Sequence, residues 1–264
     1  MNIKLISLAS LLLIASAAVA HDTWVQTNVN LVRAGDVVDI DLMLGNHGNA
    51  HRDFKIAGKV DPKTVTLDVI APDGTKSDLK PLLVDRGLSE KEGFWSAAFR
   101  ATTPGLYTVV QTSDRVVAYA PERSIKSAKT FFVASESLDR PTTKNPGFDR
   151  AFGHPLELVP QLNPVTPMGP GERLSFKLLY KGQPLAGETV ALIPRGATLE
   201  GGFDAKHERK TDANGIATFE VSDANLYLAA AHHETDEKGD GYTSTKYGAT
   251  VSVWVPALCA CCGD

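Results

Sequence analysis

The sequence predicts an all-β protein built from two tandem β-sandwich domains. Three observations favour this fold class. Short runs of residues alternate between apolar and polar side chains, turns rich in Pro, Gly and Asp separate these runs, and no window keeps a 3.6-residue period for three helical turns. We therefore expect less than ~15% helix, well below the average of globular proteins.

The first 20 residues have the features of a secretory signal peptide. Lys4 is the only charged residue in a short basic region, Leu5 to Ala20 carry no charge, and Ala18-Val19-Ala20 gives the small-x-small pattern of a cleavage site. The apolar run is shorter than the ~20 residues of a membrane span. We expect cleavage after Ala20, export to the periplasm or beyond, and a mature chain that begins at His21.

The segment 21–136 is predicted to form the N-terminal sandwich. Its strand-like runs end at turns such as "APDG" (71–74) and "TTPG" (102–105). Runs of this length and spacing are typical of a sandwich. The predicted strands are 36–44, 64–70, 94–101, 106–112 and 128–135.

A linker, 137–153, is predicted to precede the C-terminal sandwich, 154–256. Seven of the 15 prolines lie between Pro141 and Pro170, and the linker has little apolar content and no period. We expect turns with positive φ at Lys181-Gly182 and Asn214-Gly215. The predicted strands are 156–160, 173–180, 188–194, 216–221, 226–233 and 248–255.

Two resemblances refine this fold. The hairpin "KGQPLAG", the turn "TDANG" and the strand ending "LYLAA" make residues 171–255 similar to transthyretin-like, carboxypeptidase-regulatory-like domains. The two sandwiches are accordingly immunoglobulin-like or transthyretin-like. The wider order of "HDTW", "VRAGDVV", "PLELVP" and "YKGQPLAG" resembles a periplasmic family of unknown function described as a component of nickel/cobalt uptake. That resemblance implies a nickel or cobalt ion and a membrane metal-uptake transporter as partner, and it assigns no residue.

Composition excludes some classes of partner. The chain has a net charge of −4, so nothing favours nucleic-acid binding. No run after the signal peptide is long enough to span a membrane. The only cysteines, Cys259, Cys261 and Cys262, lie in a short tail, 257–264, that we expect to lie outside the second sandwich. These thiols suit a soft metal ion or disulfides.

His21 is the first candidate metal ligand. A free α-amine and Nδ1 of the same histidine can chelate one ion, and nitrogen-rich sites favour Cu(II) or Ni(II). Trp24, if buried, would fix the terminus in place. Alternatively, cleavage exposes a histidine on a frayed terminus by accident.

Two further segments hold candidate ligands. His47 and His51 lie in "GNHGNAHRDF" (45–54), a Gly- and Asn-rich loop that could fold towards residue 21. The other segment, "AHHETDEKGDGY" (231–242), is also consistent with a solvated acidic loop. Adjacent strand residues point to opposite faces, so only one of its histidines can easily join a given site. Its candidate ligands are His232, His233, Glu234 and Asp236.

The motifs of common enzymes are missing. The chain has no G-x-S-x-G, no H-E-x-x-H and no G-x-x-x-x-G-K-[ST]. The first hypothesis is therefore a non-catalytic periplasmic protein that binds nickel, cobalt or copper. The alternatives are a copper-dependent oxidoreductase that uses His21 and a structural or adhesive module in which the histidines are incidental.

Overall fold

The computed structural model describes residues 21–48, 61–87, 89, 92–200 and 202–257. Three sequence predictions lie outside these residues: the signal peptide 1–20, the ligand role of His51, and the three cysteines of the tail. The rest of the chain tests the fold.

The described residues form 17 β-strands and two short 3₁₀ turns, Pro62–Thr64 and Lys80–Leu82. Neither turn has the length or the apolar content that a helix crossing a membrane requires. The strands are β1 (Asp22–Thr27), β2 (Leu31–Arg33), β3 (Val37–Gly45), β4 (Val65–Ile70), β5 (Lys76–Asp78), β6 (Val84–Asp85), β7 (Trp95–Arg100), β8 (Gly105–Val116), β9 (Glu122–Ser135), β10 (Leu156–Pro160), β11 (Arg173–Tyr180), β12 (Gln183–Pro184), β13 (Thr189–Pro194), β14 (Glu208–Lys210), β15 (Ile216–Glu220), β16 (Asn225–Thr235) and β17 (Ser244–Val255).

The all-β prediction is confirmed, and each predicted strand matches an observed one. The positive φ angles are also found, at 49° for Lys181, 78° for Gly182 and 76° for Gly215. Six strands were not predicted: β1, β2, β5, β6, β12 and β14. The last five of these have two or three residues, too few for alternation to be recognised.

The strands form three sheets. The N-terminal sheet has the order β1-β3-β7-β6, and the C-terminal sheet contains β10, β11 and β12, with β15 also paired to β11. Between them lies a nine-stranded central sheet with the order β14-β13-β16-β17-β9-β8-β4-β5, in which β2 also pairs with β9.

The two smaller sheets pack on opposite faces of the central sheet, and each covers a large hydrophobic core of described residues. Strand β9 shows this most clearly, because Phe131 and Val133 belong to the core under the C-terminal sheet. Phe132 and Ala134 belong to the core under the N-terminal sheet. A strand covered on both faces reads as a continuous apolar run, as "TFFVA" does.

The two halves of the chain share the central sheet. β17, from the C-terminal half, pairs in parallel with β9, from Ser244 opposite Glu122 to Ser252 opposite Thr130. The segment 137–153 contains no strand and no helix. The sandwiches are thus joined through a continuous sheet as well as through this segment, and the limits 21–136 and 154–256 stay predictions.

A buried ion pair also links the halves. Nζ of Lys129, on β9, donates to Oε1 of Glu157, on β10, at 2.7 Å. Their side chains are 2% and 1% exposed. Burial alone would raise the pKa of Glu157, but the Lys129 ammonium and the Phe152 amide hold that pKa below its usual range. Burial lowers the pKa of Lys129, and the charge and hydrogen bond of Glu157 oppose that shift.

Candidate functional site

The candidate site lies at the N-terminal end of β1. A row of three hydrogen bonds holds this strand against the central sheet. The outer edge of β1 points its carbonyl groups at polar side chains of β17, and each pair has the same offset of 227 residues. The three bonds run from Thr250 Oγ1 to the Thr23 carbonyl (2.8 Å), from Ser252 Oγ to the Val25 carbonyl (2.5 Å) and from Trp254 Nε1 to the Thr27 carbonyl (2.6 Å).

Residue 21 is held by the same arrangement. Nζ of Lys126, on β9, donates to the His21 carbonyl at 2.5 Å. Trp24, three residues further on, is fully buried against Met43 and Leu228, as its predicted anchoring role requires. The backbone at residue 21 therefore lies against the central sheet.

His232 is the histidine that the fold brings to the N-terminal end of β1. Its Nε2 lies 2.8 Å from Oδ1 of Asp22, although the two residues are 210 positions apart in sequence. The Asp22 side chain is 13% exposed and that of His232 is 53% exposed. Two candidate ligand residues, His21 and His232, are thus joined through Asp22.

The charges at this position shift three pKa values. The Asp22 carboxylate raises the pKa of His232 above its ordinary value. Burial works against ionisation of Asp22, but the His232 charge and hydrogen bond bring the pKa of Asp22 below its ordinary value. Burial also lowers the pKa of Lys126, which is partly offset by the Asp22 charge. An anion therefore lies between two basic groups.

His47 lies on the other side of Trp24 and is part of the core. Its ring packs edge-on against Trp24 with a centroid separation of 5.5 Å. Its Nε2 lies 2.9 Å from the Leu226 carbonyl. Burial lowers the pKa of His47 to about 4, so the imidazole is neutral at pH 7 and donates through Nε2. Its Nδ1 is buried and has no partner among the described residues. His47 is near the terminus, as predicted, but is engaged in packing.

His233 points away from the terminus. Its Nδ1 lies 2.9 Å from Oε2 of Glu188, and its ring packs on Tyr180 at 4.7 Å. This confirms that adjacent histidines of the strand serve opposite faces. The predicted ligands Glu234 and Asp236 are exposed and join neither histidine in a described contact.

The described part of the chain contains no group of three or more His, Cys, Asp or Glu side chains placed to hold a metal ion. A metal site that also used the α-amine of residue 21 would need fewer side chains than this. The sequence reasoning missed Asp22 and Lys126. Asp22 could have been found from its position next to His21, but Lys126 gave no signal because only the pairing of β9 with β17 brings it there.

One family matches most of the sequence. The domain of unknown function DUF4198 matches residues 18–235. No curated protein matches the chain. The family match assigns no metal, so the nickel or cobalt role stays a hypothesis, as does the transthyretin-like character of residues 171–255.

Solved structures resemble the chain only distantly. The D0-D1 domain of intimin is 14% identical with a TM-score of 0.23, over 88% of this chain and 97% of that one. A DUF4785 family protein from Legionella pneumophila is 12% identical with a TM-score of 0.29, over 78% and 50%. Salmonella α-2-macroglobulin reacted with methylamine is 16% identical with a TM-score of 0.26, over 89% and 15%. Scores below 0.5 carry no argument about function.

Proposed function

We propose that this chain, which belongs to the DUF4198 family of unknown function, is a periplasmic protein that binds a transition-metal ion at His21. The observation that carries the proposal is the contact between Asp22 and His232, next to residue 21, whose carbonyl accepts a hydrogen bond from Lys126. Removal of the signal peptide after Ala20 gives His21 a free α-amine next to its imidazole.

The donor atoms suit a transition metal. The α-amine and imidazole of His21 supply two nitrogens, and His232 supplies a third. Because Nε2 of His232 contacts Asp22, its Nδ1 is the nitrogen left for an ion. A carboxylate bonded to the second ring nitrogen orients a metal-binding imidazole, which is the role that we assign to Asp22.

Two arguments bear on the metal. Nitrogen-rich donor sets favour Cu(II) or Ni(II) over Mg²⁺ or Ca²⁺. The sequence resemblance to nickel/cobalt uptake components adds Ni(II) and Co(II). We propose that the protein binds such an ion and transfers it to a membrane metal-uptake transporter, rather than using it in catalysis.

Calorimetric titration tests the proposal. Protein that begins at His21 is titrated with Cu(II), Ni(II), Co(II) and Zn(II), and His232→Gln is compared with His233→Gln. These histidines are adjacent in sequence and face opposite sides, so the second variant is a matched control. We expect His232→Gln to weaken binding by at least ~10-fold, or about 1.4 kcal/mol, and His233→Gln to leave it unchanged. Equal effects of the two variants, or no binding of any of the four ions, would contradict the proposal.

A second readout separates a carrier from an enzyme. Oxygen consumption is followed for the Cu(II)-loaded protein in the presence of ascorbate, with the His232→Gln variant as control. A carrier is expected to show no sustained turnover above that of the variant. Sustained turnover that His232→Gln abolishes would replace the carrier by a copper-dependent oxidoreductase.

A further inference from the structure

A groove of about 430 Å³, lined by apolar and polar side chains, lies on the face of the central sheet against which the C-terminal sheet packs. Its floor is the face of β4 and β8 that the C-terminal sheet leaves uncovered. Its wall is the segment 150–154, which crosses this face just before β10. A groove of this volume has the size of a small-molecule site.

The floor of the groove presents hydroxyl groups and one ion pair. The hydroxyl oxygens of Thr66 and Thr112 lie 2.7 Å apart on neighbouring strands. Beside them, Nζ of Lys76 lies 3.0 Å from Oδ2 of Asp68, and the Asp68 side chain is 11% exposed. The floor therefore offers donors and acceptors for hydroxyl groups, with no net charge.

The wall adds a cation. The Arg150 guanidinium lies over the Phe152 ring, 5.2 Å from its centroid. Among the described residues this side chain has no hydrogen bond or ion pair, so its charge is available to a ligand. A guanidinium binds a carboxylate through two parallel hydrogen bonds.

The wall is held rigidly by the buried Glu157. Its carboxylate accepts the backbone N–H groups of Phe152 (2.7 Å), Gly153 (2.9 Å) and His154 (3.1 Å). Gly153 has a φ of 80°, which a side chain at this position would strain. A wall fixed before binding loses little conformational freedom when a ligand binds.

We propose that this groove binds a small hydroxyl-rich carboxylate of the sugar-acid class. Arg150 pairs with the carboxylate, Phe152 carries the guanidinium, and Thr66, Thr112 and Asp68 bind the hydroxyl groups. The inference is independent of the metal site, because it uses other residues on another part of the central sheet.

Titration with three probes tests the groove. D-Glucuronate carries the carboxylate and the hydroxyl groups, D-glucose lacks the carboxylate, and acetate lacks the hydroxyl groups. We expect D-glucuronate to bind with a Kd on the order of 1 mM or lower and each other probe at least ~10-fold more weakly. No binding of D-glucuronate, or equal binding of either other probe, would overturn the proposal.

Two variants locate the binding. Arg150→Gln should weaken D-glucuronate binding at least ~10-fold, whereas Arg173→Gln, an exposed arginine of β11, should not. Thr112→Val should reduce the preference for D-glucuronate over acetate. Thermal unfolding shows that each variant is folded. Unchanged D-glucuronate affinity in a folded Arg150→Gln protein would place the binding elsewhere and overturn the proposal.

Discussion

The ion pair between Lys129 and Glu157 is the contact whose loss should destabilise the fold most. Both side chains are almost fully buried, and the pair joins β9 to β10. Glu157 also fixes the crossing segment through the backbone amides that it accepts. We consider Lys129→Met, Glu157→Gln and the double variant.

The structure sets the expected order of the losses. Removing one partner of a buried pair destabilises by about 3–5 kcal/mol, because the other charge is left uncompensated. Lys129→Met leaves a carboxylate that keeps three backbone N–H donors, so we expect the lower end, about 3 kcal/mol. Glu157→Gln leaves a buried ammonium with no other described acceptor, so we expect the upper end, about 5 kcal/mol.

Urea unfolding at pH 7 measures these losses, since the midpoint and slope give the free energy of unfolding. Each kcal/mol corresponds to about 2–4 °C in Tm for a protein of this size. We expect shifts of about 6–12 °C for Lys129→Met and about 10–20 °C for Glu157→Gln. Lys206→Met, an exposed lysine, is the control and should change stability by less than about 0.5 kcal/mol.

The double variant gives the refuting result. Because neither charge remains, its loss should be smaller than the sum of the single losses by at least about 2 kcal/mol. If the loss in the double variant equals the sum of the single losses to within about 0.5 kcal/mol, the two groups do not interact in the folded protein. The ion-pair argument would then be wrong.

Three further outcomes are expected. Ser252→Ala removes the donor to the Val25 carbonyl, and we expect the free energy of unfolding measured in urea to fall by about 1–2 kcal/mol. An unchanged midpoint would show that this hydrogen bond does not stabilise the fold. His47 has a pKa of about 4 in the folded protein and near 6.5 in the unfolded chain, so the unfolded chain is protonated first as the pH falls. The free energy of unfolding should therefore drop by about 2 kcal/mol from pH 7.5 to 5. An equally steep drop in the His47→Gln variant would refute this prediction. Because the pKa of His232 is raised in the folded protein, its contribution to stability is full below about pH 6.5 and is lost as the pH rises through the folded pKa. This contribution should be only about 0.2–1 kcal/mol, because His232 is half exposed. NMR titration should show the raised pKa of His232 and a lower pKa in the Asp22→Asn variant.

Local patterns in the sequence predicted most of the fold. The strand from Arg173 to Tyr180 has the bounds that its alternation predicts, and β17 ends at Val255, before Pro256. What they could not predict was the pairing of β17 with β9, which joins strands more than 100 residues apart. Alternation shows which face of a strand is buried, but it does not identify the neighbouring strand.

The same limit applies to the site. The sequence singled out His21 from the cleavage pattern and separated His232 from His233 by strand alternation. It placed His47 and His51 first as partners of the terminus, because they are nearest in sequence. The fold instead brings His232 to Asp22 through the position of β16 in the central sheet and uses His47 for packing. The cluster is built from long-range contacts, which a local pattern does not encode.

The most direct test of the metal proposal compares two forms of the mature protein. One begins at His21, and the other carries one additional Met before it, which removes the free α-amine of His21 while leaving every side chain unchanged. Both are titrated with Cu(II) and Ni(II) at pH 7.5. We expect the extended form to bind at least ~10-fold more weakly, equivalent to about 1.4 kcal/mol. Equal affinities of the two forms would contradict a site at His21.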